Sequence, residues 1–228
     1  HNYYTICIGK SLYWYNNRNQ VSHSLSALGT LTQNIFDADG NVTETRVYET
    51  PVTLPSDATG AVPTGVGNFR VTQFAYDALN RVTEVRVPDV VTATLATTVT
   101  VATRTLSTTY SYDALGNVTR TTDAEGHTVH SYYDKLGRKT SEVDQEQFRT
   151  DWTYDANGNV TRETRYATRL ATAPTIGAAV PAVVTATADR ITSFGYDKLG
   201  RRIWLQRANV QVHDSAANSG AGGAHRTT

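Results

Sequence analysis

One cysteine, Cys7, and no methionine occur among the 228 residues. A lone thiol excludes an internal disulfide framework and leaves the redox compartment open. Runs of like charge are missing as well, since 21 Lys and Arg balance 21 Asp and Glu. Neither nucleic acid nor an anionic membrane surface is therefore implied as a partner. No 18-residue apolar stretch and no basic-then-apolar leader occurs, so membrane insertion is not expected. The chain opens His1-Asn2-Tyr3, and without an initiator it is expected to be a piece of a longer protein. The hydrophobic fraction, 39%, is below the roughly 45–50% usual for globular domains. That predicts a thin sheet with Thr and Ser on its surfaces rather than a thick apolar core.

What the sequence does contain is a repeat. Tyr-Asp recurs at Tyr112-Asp113, Tyr133-Asp134 and Tyr154-Asp155, each 21 residues from the last. A fixed period of this size marks an architecture in which each unit buries its surface only against its neighbours. Asp113-Ala114-Leu115-Gly116 puts a carboxylate where it accepts backbone N–H groups two residues on, and Gly where the chain turns left-handed. This predicts a type I turn closed by a Gly bulge. Asp123-Ala124-Glu125-Gly126 and Asp134-Lys135-Leu136-Gly137 carry the same chemistry. One repeat thus reads as two strands and two tight turns. The intervening residues, such as 117–123 and 127–133, are rich in Thr, Val, Tyr and Ser, which suit a pleated surface. Helix is disfavoured by the absence of a sustained 3.6-residue period and by the frequent turn signals.

Further anchors are Tyr15-Asn16, Phe36-Asp37, Tyr76-Asp77 and Tyr196-Asp197, giving about seven repeats over 15–207 and about 14 strands. Three intervals between anchors exceed the period. The extra residues fall near 47–68, 87–104 and 165–188, replacing the second turn of a repeat and never the Tyr-Asp turn. All six prolines, Pro51, Pro55, Pro63, Pro88, Pro174 and Pro181, lie in these arms. Residues 90–101 are Val/Thr-rich enough to extend a hairpin, whereas 54–68 and 171–183 read as loops. Residues 1–14 are aromatic-rich and unassigned; 208–228 have the composition of a flexible tail.

The Gly-bulged hairpin places Tyr112 opposite Val118, Phe36 opposite Val42, Tyr76 opposite Val82 and Tyr154 opposite Val160. This aromatic row is the expected packed side. Ser111, Ala75, Thr153 and Gly195, with Thr43, Thr83, Thr119 and Thr161, are small or hydroxylated and predict a face that is wet or closely approached. Lys139 and Arg202 replace the Val, leaving the register of their strands open.

The pattern aromatic-x-Tyr-Asp-x-Leu-Gly-Asn/Arg, followed by a second Gly turn and the next Tyr-Asp, resembles the YD repeat of Rhs proteins. These include bacterial polymorphic toxins, insecticidal toxin complex shell components and teneurins. The resemblance covers about 13–207. It implies an all-β fold, a YD-repeat antiparallel β-meander curled into a strip that forms part of a hollow shell. It also implies a non-catalytic structural segment, secreted or at the cell surface and bacterial, whose partners are the rest of the parent chain and an encapsulated cargo such as a C-terminal toxin. The alternative is a teneurin-like or adhesin-like segment that binds a surface protein or glycan through its long arms. The chain departs from a complete member: seven repeats are few for a whole shell, and neither a C-terminal cleavage motif nor a toxin domain follows them.

No catalytic, cofactor-binding or metal-ligating residue is assigned. Asp37-x-Asp39-Gly40-Asn41 and Asp155-x-Asn157-Gly158-Asn159 invite a calcium reading, but an EF-hand loop would require Glu where Tyr48 and Tyr166 stand. His127 and His130, near Asp123 and Asp134, are spaced i to i+3, which on a strand points them to opposite faces. Cys7 has no nucleophile motif around it, and Gly65-Val66-Gly67 lacks the third Gly and the helix of a dinucleotide loop. Asn41-Val42-Thr43, Asn117-Val118-Thr119 and Asn159-Val160-Thr161 are formal glycosylation sequons that recur because the turn recurs.

Overall fold

Turn residues arriving every ten or eleven positions leave room only for short strands joined to their neighbours, and the computed structural model has this arrangement. It describes residues 5–8, 11–53, 61–63, 67–95, 99–210 and 223–227; at 5–8, 93–95, 99–100, 209–210 and 223–227 it describes the backbone path alone. Among the described residues there are strands, turns and no helix. The fold is an all-β antiparallel meander of YD repeats, and it divides into two units, His1–Thr109 and Tyr110–Thr228.

The first unit runs β1 (Thr5–Ile8), β2 (Ser11–Tyr15), β3 (Val21–Leu25), β4 (Leu31–Phe36), β5 (Val42–Tyr48), β6 (Phe69–Tyr76), β7 (Val82–Leu95) and β8 (Val99–Tyr112), the last continuing into the second unit. Each strand pairs antiparallel with the next. Leu12, Trp14, Leu25 and Leu31 are buried together, with Tyr48, Val52 and Val62 packed against them. Burying each of the three leucines contributes roughly 1.5–3 kcal/mol. The Val/Thr run of 90–101 continues the β7–β8 hairpin, with Val91 opposite Thr103 and Leu95 opposite Val99. The ladder breaks between Val87 and Val90. Pro88 has no N–H to donate there, and Asp89 turns left-handed at φ 56°, so the two form a bulge.

The second unit continues from the end of β8 through β9 (Val118–Thr122), β10 (Thr128–Tyr133), β11 (Lys139–Val143), β12 (Arg149–Tyr154), β13 (Val160–Arg165), β14 (Arg190–Tyr196), β15 (Arg202–Val210) and β16 (Gly223–Thr227). Antiparallel pairing again follows sequence order. Within the expected tail, 208–210 complete β15 and 223–227 pair with it, while 211–222 lie outside the described residues. β1 likewise falls in the unassigned N-terminal stretch, of which 1–4 and 9–10 lie outside the described residues.

The register places Phe36 opposite Val42, Tyr76 opposite Val82 and Tyr154 opposite Val160. Tyr133 and Tyr196 hold the same place against Lys139 and Arg202. The aliphatic part of a Lys or Arg side chain covers a ring as Val does, so the register survives the substitution. Full burial, however, falls on the other face. Trp14, next to the anchor Tyr15, is 1% exposed, and Leu25 and Val143 are 0%, whereas the anchors Phe36, Tyr76, Tyr133, Tyr154 and Tyr196 are only half-buried. The expected packed side is thus the less buried one, because the arms fold over the opposite face.

Candidate functional site

The residues that invited functional readings sit in the Tyr-Asp turns. Each Asp there accepts two backbone N–H groups with one oxygen: Asp113 Oδ1 takes Leu115 and Asn117 at 2.9 and 2.8 Å, and Asp155 Oδ1 takes Asn157 and Asn159 at 2.9 Å each. The second oxygen takes the side chain four residues on. Asn41, Asn117 and Asn159 Nδ2 donate to Asp37, Asp113 and Asp155 at 3.0, 2.8 and 2.9 Å, and Arg81, Arg138 and Arg201 Nε donate to Asp77, Asp134 and Asp197 at 2.8, 2.7 and 2.7 Å. Because these bonds favour the ionised form, the carboxyls are held below the ordinary Asp value. The side-chain amide is the largest cause at Asp37, Asp113 and Asp155, and the backbone N–H of the following Arg at Asp77, Asp134 and Asp197.

This arrangement bears on each chemical reading. In the two calcium-like loops an amide N–H, not an oxygen, faces the carboxylate, and that is the wrong polarity for a cation. Among the described residues no three His, Cys, Asp or Glu side chains gather as metal ligands. His127 Nδ1 lies 3.1 Å from Asp123 Oδ2 in an exposed turn. His130 lies in β10 opposite Arg120 and Val143, with burial and the Arg120 charge lowering its pKa. The sequon asparagines are the turn donors just named. The Cys7 side chain and Gly65-Val66 lie outside the described residues.

Three devices escaped the sequence reading. First, the anchor tyrosines use their hydroxyls. Tyr76, Tyr133, Tyr154 and Tyr196 donate to the carbonyls of Val42, Val118, Lys139 and Val160 at 2.8, 3.0, 2.6 and 2.9 Å. Each acceptor opens the strand after the preceding Tyr-Asp turn, where the ladder to the next hairpin has ended: β13 and β14 pair only from Arg162 and Ser193 onward. Phe36 has no hydroxyl, and there Asn34 Nδ2 donates to Val21 O at 3.1 Å instead.

Second, one residue is extra in each hairpin just after the Val position. It is Ser22, Thr43, Thr83, Thr140, Thr161 or Ile203, and the hydroxyls of Ser22, Thr43, Thr140 and Thr161 bond the carbonyls of Trp14, Ile35, Tyr132 and Thr153 at 3.2, 3.3, 3.3 and 3.2 Å. The recurring Thr therefore marks a bulge. The remaining small residue, Gly195, is closely approached, since a Cβ there would meet Trp204 Nε1 at 1.8 Å.

Third, two arms are anchored alike. Tyr48-Glu49-Thr50-Pro51-Val52 and Tyr166-Ala167-Thr168-Arg169-Leu170 share Tyr-x-Thr-x-aliphatic at the start of the arm. Val52 N donates to Gly29 O at 2.8 Å and Leu170 N to Gln147 O at 2.9 Å. Both acceptors are the left-handed residue of a preceding second turn, Ser26–Gly29 or Asp144–Gln147, at φ 84° and 69°. Tyr48 and Tyr166 hydroxyls donate to Gln33 and Asp151 at 3.1 and 3.0 Å. Arg149 grips Asp151 at 2.6 Å and reaches Pro181 O at 2.9 Å, while buried Asp189 accepts from Ala167 N and Ala186 N at 2.8 and 2.9 Å. Aligning the starts of the two arms is the sequence signal that finds this motif.

With that repeat chemistry in place, the class is a YD-repeat β-meander. The RHS Repeat family model matches residues 95–128, and the chain resembles the Rhs/YD-repeat proteins. No curated protein matches it significantly. Similar solved structures include TcdB2-TccC3-TEV (TM-score 0.45, 15% identity, 86% of this chain and 10% of that one) and TcdB2-TccC3 without its hypervariable C-terminal region (0.45, 13%, 86% and 10%). The Tc holotoxin pore of Photorhabdus luminescens with a TccC3 mutation is a third (0.32, 15%, 87% and 9%). The chain spans about a tenth of those chains.

Proposed function

We propose that this chain is a non-catalytic structural segment of a longer Rhs/YD-repeat protein, secreted or displayed at the cell surface, and that it forms part of a curled β-shell around a cargo such as a C-terminal toxin. The observation that carries this reading is the consumption of chemistry by architecture: the turn carboxylates, the anchor hydroxyls and the recurring threonines each bind a neighbouring part of the repeat. Partners on this reading are the remainder of the parent chain and what it encloses. The test is protease protection of the enclosed segment in the parent protein, intact and with Tyr133, Tyr154 and Tyr196 each changed to Phe. Protection that weakens together with the sheet supports a wall; a cargo equally protected after the sheet is loosened overturns it.

A second reading, adhesion to a surface protein or glycan through the arms, is favoured by one observation. Residues 171–188 carry no charge, and Ile176 and Val184 are 51% and 72% exposed there. Substituting both with Ser leaves the anchors Leu170 and Asp189 in place. Loss of cell-surface binding with an unchanged sheet would favour adhesion over a passive wall.

A further inference from the structure

The second unit carries a cluster of positive charge that the repeat does not use. Arg165 on β13 lies directly opposite Arg190 on β14. Arg207 on β15 lies opposite Thr192, and so it shares that face, one diagonal step from Arg190. Residues directly opposite in an antiparallel pair stand about 4.5–5.5 Å apart at Cβ and diagonal ones about 7–8 Å, and like charges so placed destabilise the sheet. All three arginines are exposed. Only Arg165 has a carboxylate: Glu163, directly opposite Thr192 on the same face, puts Oε1 2.5 Å from its Nε. Glu142, further along the same face, is occupied by Lys139 Nζ at 2.6 Å. Arg190 and Arg207 have no carboxylate in ion-pair range among the described residues. This contrasts with Arg81, Arg138 and Arg201, which each pair with a turn Asp at 2.7 Å.

We infer that Arg190 and Arg207, with Arg165 beside them, form a binding patch for a tetrahedral oxyanion, a phosphate or sulfate group. Two guanidinium forks on one flat face offer parallel N–H pairs to such a group, and the guanidinium geometry suits it better than an ammonium would. The Thr192 hydroxyl, between them on the same face, is a neutral donor for the same ligand. Glu163 already neutralises Arg165, so the charge that a bound anion compensates is that of Arg190 and Arg207. This goes beyond the structural role proposed above and does not depend on it.

The test uses the 228-residue chain with 15N-labelled arginine at constant ionic strength, titrated with inorganic phosphate, inorganic sulfate, glucose 6-phosphate and glucose 6-sulfate. Saturable shifts of the Arg190 and Arg207 Nε–Hε signals are expected, with the Arg190 shift weakened in the R207T variant and the Arg207 shift weakened in R190T. Tighter binding of the esters would assign the group to a carried ligand, and equal binding would assign it to the free ion. Shifts that rise linearly without saturating, or that are shared by all arginines, mean an adventitious ion only and overturn the inference. A second measurement separates binding from structure. Arg190→Thr removes a like-charge contact and is expected to raise Tm in chloride while abolishing the response to oxyanion. A fall in Tm in chloride would make Arg190 a structural residue and also overturn it.

Discussion

Tyr132 and Tyr133, adjacent on β10, put their hydroxyls to opposite use: Tyr133 Oη donates to Val118 O at 3.0 Å, while Tyr132 Oη is buried with no hydrogen-bond partner among the described residues. Burial also raises the Tyr132 pKa. A hydroxyl that satisfies a carbonyl left by the ladder is worth about 1 kcal/mol, and an unsatisfied buried one costs about 1–3 kcal/mol. Tyr133→Phe is therefore expected to lower stability by about 1 kcal/mol, whereas Tyr132→Phe is neutral or stabilising. Urea unfolding of the two variants with unchanged m-values distinguishes them, and equal losses at both positions would contradict this account.

The anchor at Phe36 extends the same argument. Its neighbour Asn34 donates to Val21 O and accepts from Thr45 Oγ1 at 3.1 Å, so Asn34→Ala should cost more than a Tyr→Phe change elsewhere, about 1–2 kcal/mol. Phe36→Tyr in the Asn34→Ala background should recover the Val21 share of that loss, and the double-mutant cycle gives the coupling. A rescue of zero would show that the carbonyl does not need a donor.

Much of this fold was legible because its turns announce themselves chemically. The Asp and Gly of 113–116 set the hairpin, and the Tyr–Val register followed from loop length alone. The buried face was not legible: Trp14 and Tyr132 are one residue before the anchors, and only the folding of the arms over them decides which side is covered. The Asp144–Gln147 turn escaped because Gln147, at φ 69°, takes a left-handed place that Gly fills elsewhere. Relieving that conformation is worth roughly 1–2 kcal/mol, so Gln147→Gly is expected to raise the urea midpoint. A lower midpoint would show that the Gln side chain is holding the arm.

Acid should loosen the turns before it affects the apolar clusters. Hydrogen bonds hold the turn aspartates of the folded chain below the ordinary carboxyl value, which is about 3.9 in an unfolded chain. The unfolded state then binds more protons, so this contribution is present above about pH 4 and is lost as pH falls through the lowered folded values. Thermal melts between neutral pH and strong acid are expected to be flat until near pH 4 and to fall below it. Asp113→Asn keeps an acceptor for Leu115 and Asn117 but removes the charge, and should make the fall shallower. A Tm that does not change in acid would contradict the turn assignment.

Trp204 lies over Gly195 so closely that any side chain at that position collides with its indole, the nearest approach to a built Cβ being 1.8 Å. The pair is directly opposite across β14 and β15, and the ring covers backbone that a Gly leaves open. Because the whole indole must move, Gly195→Ala should cost about 1–3 kcal/mol, the range for overpacking, despite the general gain from replacing a strand Gly. Trp204→Ala in the same background removes the obstruction, so the Gly195→Ala penalty should vanish there. The Trp204 indole Nε1–Hε1 resonance, resolved from those of Trp14 and Trp152, reports the displacement: a shifted signal with lowered stability is expected, and an unshifted one with unchanged stability would mean that the ring does not sit on this glycine in solution.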